Sequence, residues 1–293
     1  MIGAIISELL KLRTVRTWWI AGAGMAAVTL LMALWNSWQA STFLRSFDEY
    51  LAGAIRRPRE DLSTEQVEVM HKLWETHSDP SRIATSLYTS GQPLGLLLAC
   101  LLAILLVTNE YQYRTLTATF LATPRRARVV VAKLVAVVIA SAGLWLVSTL
   151  VAGGVGFGFL SSQGVGLQLG TADVSRAVLL NLAAYTVWGF FGFGLGVLIR
   201  SQVTAMVAAT ALYFLTSVVV AFGFQAVHDL VIEEDWVLQA QVIVPGVASQ
   251  IMTTPGELFA GAPPQWTGAA VLLSYGLLAA GLGTVLLRRR DVL

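Results

Sequence analysis

The densest run of side chains able to do chemistry lies between residues 109 and 133. It reads Asn109-Glu110-Tyr111-Gln112-Tyr113-Arg114-Thr115-Leu116-Thr117-Ala118-Thr119-Phe120-Leu121-Ala122-Thr123-Pro124-Arg125-Arg126-Ala127-Arg128, and Lys133 follows five residues on. The pattern predicts a helix that ends near Glu110 and a short helix from Thr115 to Ala122. Pro124 stops the short helix because it lacks the backbone donor that the next turn needs. The arginines after it suit either lipid headgroups or an acidic protein face. This is chemistry of recognition by charge, and no nucleophile, base and orienting group stand together in it.

Other candidates for chemistry are sparse. No G-x-x-x-x-G-K-[ST] run occurs, so no phosphate-cradling P-loop is available. Glycines cluster at Gly153-Gly154-Val155-Gly156-Phe157-Gly158 and from Gly189 to Gly196, but no strand pattern precedes either cluster. They are read as points of close helix packing rather than as dinucleotide turns. His71, His77 and His228 are the three histidines, and a spacing of six does not place the first two on one helix face. They are read as surface residues, not as a metal site. Cys100 is the single cysteine, which excludes an internal disulfide, and it is read as a small buried hydrophobe.

The elements that must carry the charged run are apolar. Charged residues make up 12% of the chain against about a quarter in soluble domains, and mean hydropathy is +0.71. The charge is missing from six long blocks and crowded between them, as in a chain whose solvent is lipid. The expected spans lie near 17–39, 88–109, 129–153, 177–199, 203–227 and 266–287, each near the 20 residues that cross a hydrocarbon core. Trp18, Trp19, Trp35 and Trp38 bracket the first and Trp266 opens the last, as membrane interfaces favour. A secretory leader is the rival reading of residues 1–40. The apolar run is too long for one, and an uncleaved first helix is expected. The expected fold is one all-α membrane domain over 1–293. The apolar interiors of its spans carry no ionisable residue, which weighs against a proton- or sodium-coupled carrier.

Basic residues orient the bundle. With the N-terminus, the 110–128 loop, the 200–202 turn and the C-terminus on one side, that side holds twelve of the 19 basic residues and three of the 17 acids. The positive-inside rule makes that side cytoplasmic. Sixteen arginines against three lysines point to a GC-rich bacterial gene, hence to the bacterial plasma membrane. Residues 1–16 form a cytoplasmic segment in which Ile2, Ile5, Ile6, Leu9 and Leu10 recur at helical spacing against Glu8 and Lys11, an interfacial amphipathic helix. Outside lies the loop 40–87, with a helix at 64–76 opened by a Ser63/Gln66 capping box and presenting Val67, Met70 and Trp74 on one face. Residues 154–175 read as a loose loop. Residues 228–265 begin acidic and turn apolar too briefly to span, interrupted by Pro245 and Gly246, so a re-entrant or interfacial segment is expected.

On these residues the chain resembles the type-2 family of ATP-binding-cassette permeases. That family pattern is an acid at the end of the second span, then Gly-Thr, leucines, a proline, an arginine and a lysine opening the third span. Glu110, Thr115, Leu116, Leu121, Pro124, Arg126 and Lys133 match it, and Arg114 replaces the glycine. Glu8-Leu9-Leu10-Lys11-Leu12, Gly194-x-Gly196 with Arg200, Pro245 and Arg288-Arg289-Arg290-Asp291 extend the match along the chain. The resemblance implies a six-helix permease bundle that pairs with a second copy or a homologous permease. It implies two separate cytoplasmic ATPase subunits, which bind the ATP while this chain carries no cofactor. It also implies that the loop after the second span is the coupling contact, through Glu110, Arg114, Thr115, Pro124, Arg125 and Arg126.

The expected function is thus a non-enzymatic membrane subunit of an ATP-driven exporter for an apolar or amphiphilic substrate such as a drug, antibiotic or lipid. Its partners are the ATPase, a second permease and the bilayer, with no nucleic acid. The substrate-binding residues are not identified by the sequence, although Trp145, Phe191, Tyr213 and Phe214 could line a pathway as well as a core. A carrier or channel independent of ATP and a non-transporting assembly protein are the rival classes.

Overall fold

In the computed structural model, the described residues are 3, 5–8, 10, 16–54, 63–113, 126–199, 201–230, 236–254 and 261–289. They are helical throughout, with no strand among them. The first long helix, α1, is Arg16–Phe43, and the short α2 (Phe47–Ala54) turns away from it. Next comes α3, Thr64–Ser78, capped as its sequence predicts. Ser63 Oγ accepts from the Gln66 amide at 3.2 Å, and Gln66 Oε1 accepts from the Ser63 amide at 3.1 Å. Asp79 accepts from the Ser81 amide and Pro80 opens α4 (Pro80–Tyr88), which leads into α5 (Gln92–Gln112).

Helix α6 (Arg126–Ser162) has 37 residues, about 55 Å at 1.5 Å per residue and far longer than a bilayer requires. The loose loop expected from residue 154 is therefore not found there: the chain stays helical through Ser162. Tertiary packing outweighs the helix cost of the glycines, since Leu160 is fully buried and Gly156 lies against the Tyr88 ring. Helix α7 is Ala172–Leu198. The next helix, α8 (Gln202–Val218), continues as a π-helical stretch, Val219–Phe224, and α9 (Gln225–Leu230). The segment after it is broken into α10 (Trp236–Gln239), a 3₁₀ turn (Ala240–Ile243) and α11 (Pro245–Thr253), with Pro245 tolerated in the first turn. The last helix, α12, is Gln265–Arg289.

Among the described residues, four stretches are long and apolar enough to cross a membrane: Trp18–Phe43, Pro80–Gln112, Arg128–Ser162 and Ala172–Leu198. The fifth and sixth expected stretches fall on α8–α9 and α12. Helix α7 sits at the centre and packs on α5, α12, α6 and α11. Its glycines make this possible. A Cβ on Gly192 would stand 2.1 Å from the Cys100 carbonyl oxygen, and one on Gly189 would stand 2.4 Å from Ser141 Oγ. The close packing read from Gly189–Gly196 is thus present. In the other glycine cluster only Gly156 meets a neighbour, while Gly153, Gly154 and Gly158 face open space.

Candidate functional site

The end of α5 and the start of α6 carry the charged site. Glu110 lies in the last turn of α5, three and seven residues after Val107 and Ala103, so it shares their inward face. Lys133 lies two turns into α6 between Val130 and Val137, in a stripe that is otherwise apolar. Those valines and Ala103 pack with Phe193 and Val197 of α7, which keeps water from the charged groups. Lys133 Nζ donates to Glu110 Oε1 at 2.8 Å and to Glu8 Oε2 at 3.0 Å, and all three residues are at most 4% exposed. Two carboxylates thus share one ammonium beside an apolar cluster. Charge-assisted bonds in such a setting are short and strong, and removing one member of a buried pair costs about 3–5 kcal/mol.

Glu110 is therefore placed, together with two residues that the sequence reading did not count in the site. Arg114, Thr115, Pro124 and Arg125, and the expected helix 115–122, lie outside the described residues. Arg126 begins α6, and its side chain lies outside them as well. A signal for Lys133 existed in the sequence: one lysine in Val129-Val130-Val131-Ala132-Lys133-Leu134-Val135 must leave an apolar stripe or find a buried partner. Nothing in the sequence said that one partner would be Glu8, 125 positions away.

A second polar cluster, made of uncharged groups, lies where α11 meets α5 and α7. The Gln92 side chain donates to the Ser249 carbonyl at 3.1 Å and accepts from Thr253 Oγ1 at 3.1 Å, while Trp188 Nε1 donates to Ser249 Oγ at 3.0 Å. These bonds seat α11 on α5 and α7. Beside them is a cavity of about 200 Å³, lined among others by Leu96, Tyr213, Thr216, Val220, Val247 and Gln250. The Tyr213 hydroxyl donates to the Pro93 carbonyl, and its ring lies 5.5 Å from both Trp188 and Phe214. Trp145 belongs elsewhere, donating to the Val178 carbonyl.

The short helix α2 and helix α3 meet through rings, and α3 also reaches the end of α1. His71 lies edge-on to Phe47 at 4.7 Å, His77 stacks on Phe43 at 5.1 Å, and Trp74 donates to the Arg45 carbonyl. Among the described residues no cluster of three His, Cys, Asp or Glu side chains could hold a metal ion.

Long apolar helices meeting through backbone-close glycines, with buried charge at one end, define an all-helical protein embedded in a membrane. The chain belongs to the ABC-2 family transporter proteins, which it matches over residues 8–292. No individually curated protein matches it. It is accordingly a membrane permease component of an ABC transporter.

Proposed function

We propose that this chain is the permease of an ATP-driven exporter in the bacterial plasma membrane, working as two copies, or one copy with a homologous permease, on two ATPase subunits. The observation that carries the reading is the Glu110–Lys133 pair, which ties together the two roots of the 113–125 connection. A push on a free loop dissipates in the loop. With its roots joined, the same push moves the end of α5 and the start of α6 as one body. From Lys133 to Leu160, α6 spans about 40 Å of continuous helix, long enough to carry a displacement to the cluster around Tyr88.

ATP binding shifts the bundle only by the difference in its interaction with the two states, so the loop must contact the ATPase differently in each. In this reading Arg114, Thr115, Pro124, Arg125 and Arg126 form the contact. Glu110 acts through the loop it positions, since its carboxylate is engaged inside the chain. The chain itself binds no ATP or other cofactor. Six spans, with α8–α9 and α12 as the fifth and sixth, put both termini and the loop in the cytoplasm and make α10–α11 the re-entrant segment. The cavity beside Tyr213 combines apolar walls with Gln250 and Thr216, which suits an amphiphilic substrate.

The test is purification of the tagged chain from membranes of its source cell. A stoichiometric ATPase with vanadate-sensitive hydrolysis is expected, and none from the chain alone. Recovery of the chain without an ATPase would favour a carrier or an assembly protein instead. Single cysteines at Glu60, Phe120 and Asp235 in a Cys100→Ala background test the topology. External labelling is expected at 60 and 235, and labelling at 120 in intact cells would reverse the orientation.

A further inference from the structure

We infer that Glu8 is a positioning residue that straps the N-terminal segment to the roots of the coupling loop, so that this segment follows the loop through the transport cycle. The inference rests on the reading of the 113–125 connection as the coupling loop.

Three observations carry it. Glu8 Oε2 accepts from Lys133 Nζ at 3.0 Å, on the same ammonium that holds Glu110 at 2.8 Å, so one nitrogen joins three segments of the chain. Glu8 is 4% exposed whereas Ile6 and Leu10 are about half exposed. Positions two apart on a helix point about 200° from one another, so the segment shows its acid to the bundle and turns Ile6 and Leu10 outward. A freely adsorbed amphipathic helix would keep its acid in water; here the acid is the inward group. Finally, α1 begins only eight residues after Glu8, so pinning Glu8 also sets where the first membrane helix starts.

The two bonds on Lys133 predict an unequal response. Without Glu8, the Lys133–Glu110 bond remains at the loop roots. Without Lys133, Glu8 and Glu110 both lose the ammonium that joins their segments. Without Glu110, the Glu8–Lys133 bond still holds the N-terminal segment. Glu8 therefore affects the N-terminal segment selectively, and Lys133 affects everything.

The experiment places a nitroxide at Ile6→Cys in the Cys100→Ala chain, purified in nanodiscs. An immobilised spectrum is expected in the parent and with Glu110→Gln, and a mobile one with Glu8→Gln and with Lys133→Met. The double variant Glu8→Lys/Lys133→Glu keeps two acids and one base at the same three positions and should restore immobilisation, which a purely steric role for Glu8 would not produce. In the complex with its ATPase, trapping with ATP and vanadate should change the parent spectrum but not that of Glu8→Gln. An unchanged spectrum in Glu8→Gln, or an equal response to trapping in parent and variant, overturns the inference. Failure of any ATPase to copurify counts against the transporter reading alone, because the strap is read in the isolated chain.

Discussion

Two regions of the bundle are held by different chemistry. Where α5 ends and α6 begins, Lys133 joins Glu8 and Glu110, and the valines and phenylalanine around them keep water out. Where α11 meets α5 and α7, Gln92, Ser249, Thr253 and Trp188 join through amide, hydroxyl and indole groups with no net charge. The charged region depends on the one ammonium that its bonds share, because removing it leaves buried carboxylates without that partner. A neutral seam loses one bond at a time, and Thr253 keeps its bond to the Ser249 carbonyl when Gln92 is gone. The charged region thus suits a part that moves as a unit, and the neutral seam suits graded adjustment.

Lys133→Met should break the charged region. It takes from two buried carboxylates the ammonium they share, and a loss of about 3–5 kcal/mol is expected, read as a large fall in thermal stability in detergent. A mild effect would mean that the triad is not desolvated as described. Gly192→Ala acts on the seam that both regions share. The added methyl meets the Cys100 carbonyl oxygen, which is backbone and cannot swing aside, so about 1–3 kcal/mol should be lost. Gln92→Leu should break the neutral seam for only about 1 kcal/mol, and a loss as large as that of Lys133→Met would erase the contrast between the two regions. Ser63→Ala removes the cap of α3, outside either region, and should cost about 0.5–1 kcal/mol at that helix alone, read by local hydrogen exchange.

Local rules were legible in the sequence. The Ser63/Gln66 box and the glycines of α7 at a close crossing follow from chemistry within a few residues. The six apolar stretches lie on helices for the same reason. The length of α6 was not legible. Glycine weakens a helix locally, and only the packing of Leu160 and Gly156 against α4 keeps the chain helical to Ser162. The triad was half legible: Glu110 stood out at a helix end, and Lys133 interrupted an apolar stripe. Its closure by Glu8 depends on how the N-terminal segment folds back on α6, which residue spacing does not encode.

The claim at the centre is that the joined loop roots transmit ATP-driven motion. It is tested most directly by the ATP hydrolysis rate per permease chain in nanodisc complexes, comparing the parent with Glu110→Gln at equal membrane incorporation and equal bound ATPase. Glu110→Gln keeps the shape of the side chain and the Glu8–Lys133 bond but removes the charge that ties α5 to α6. The account predicts a several-fold change in hydrolysis per chain and loss of its response to the state of the bundle. Hydrolysis at the parent rate, with the same response, would contradict it and reduce the site to an anchor for helix ends.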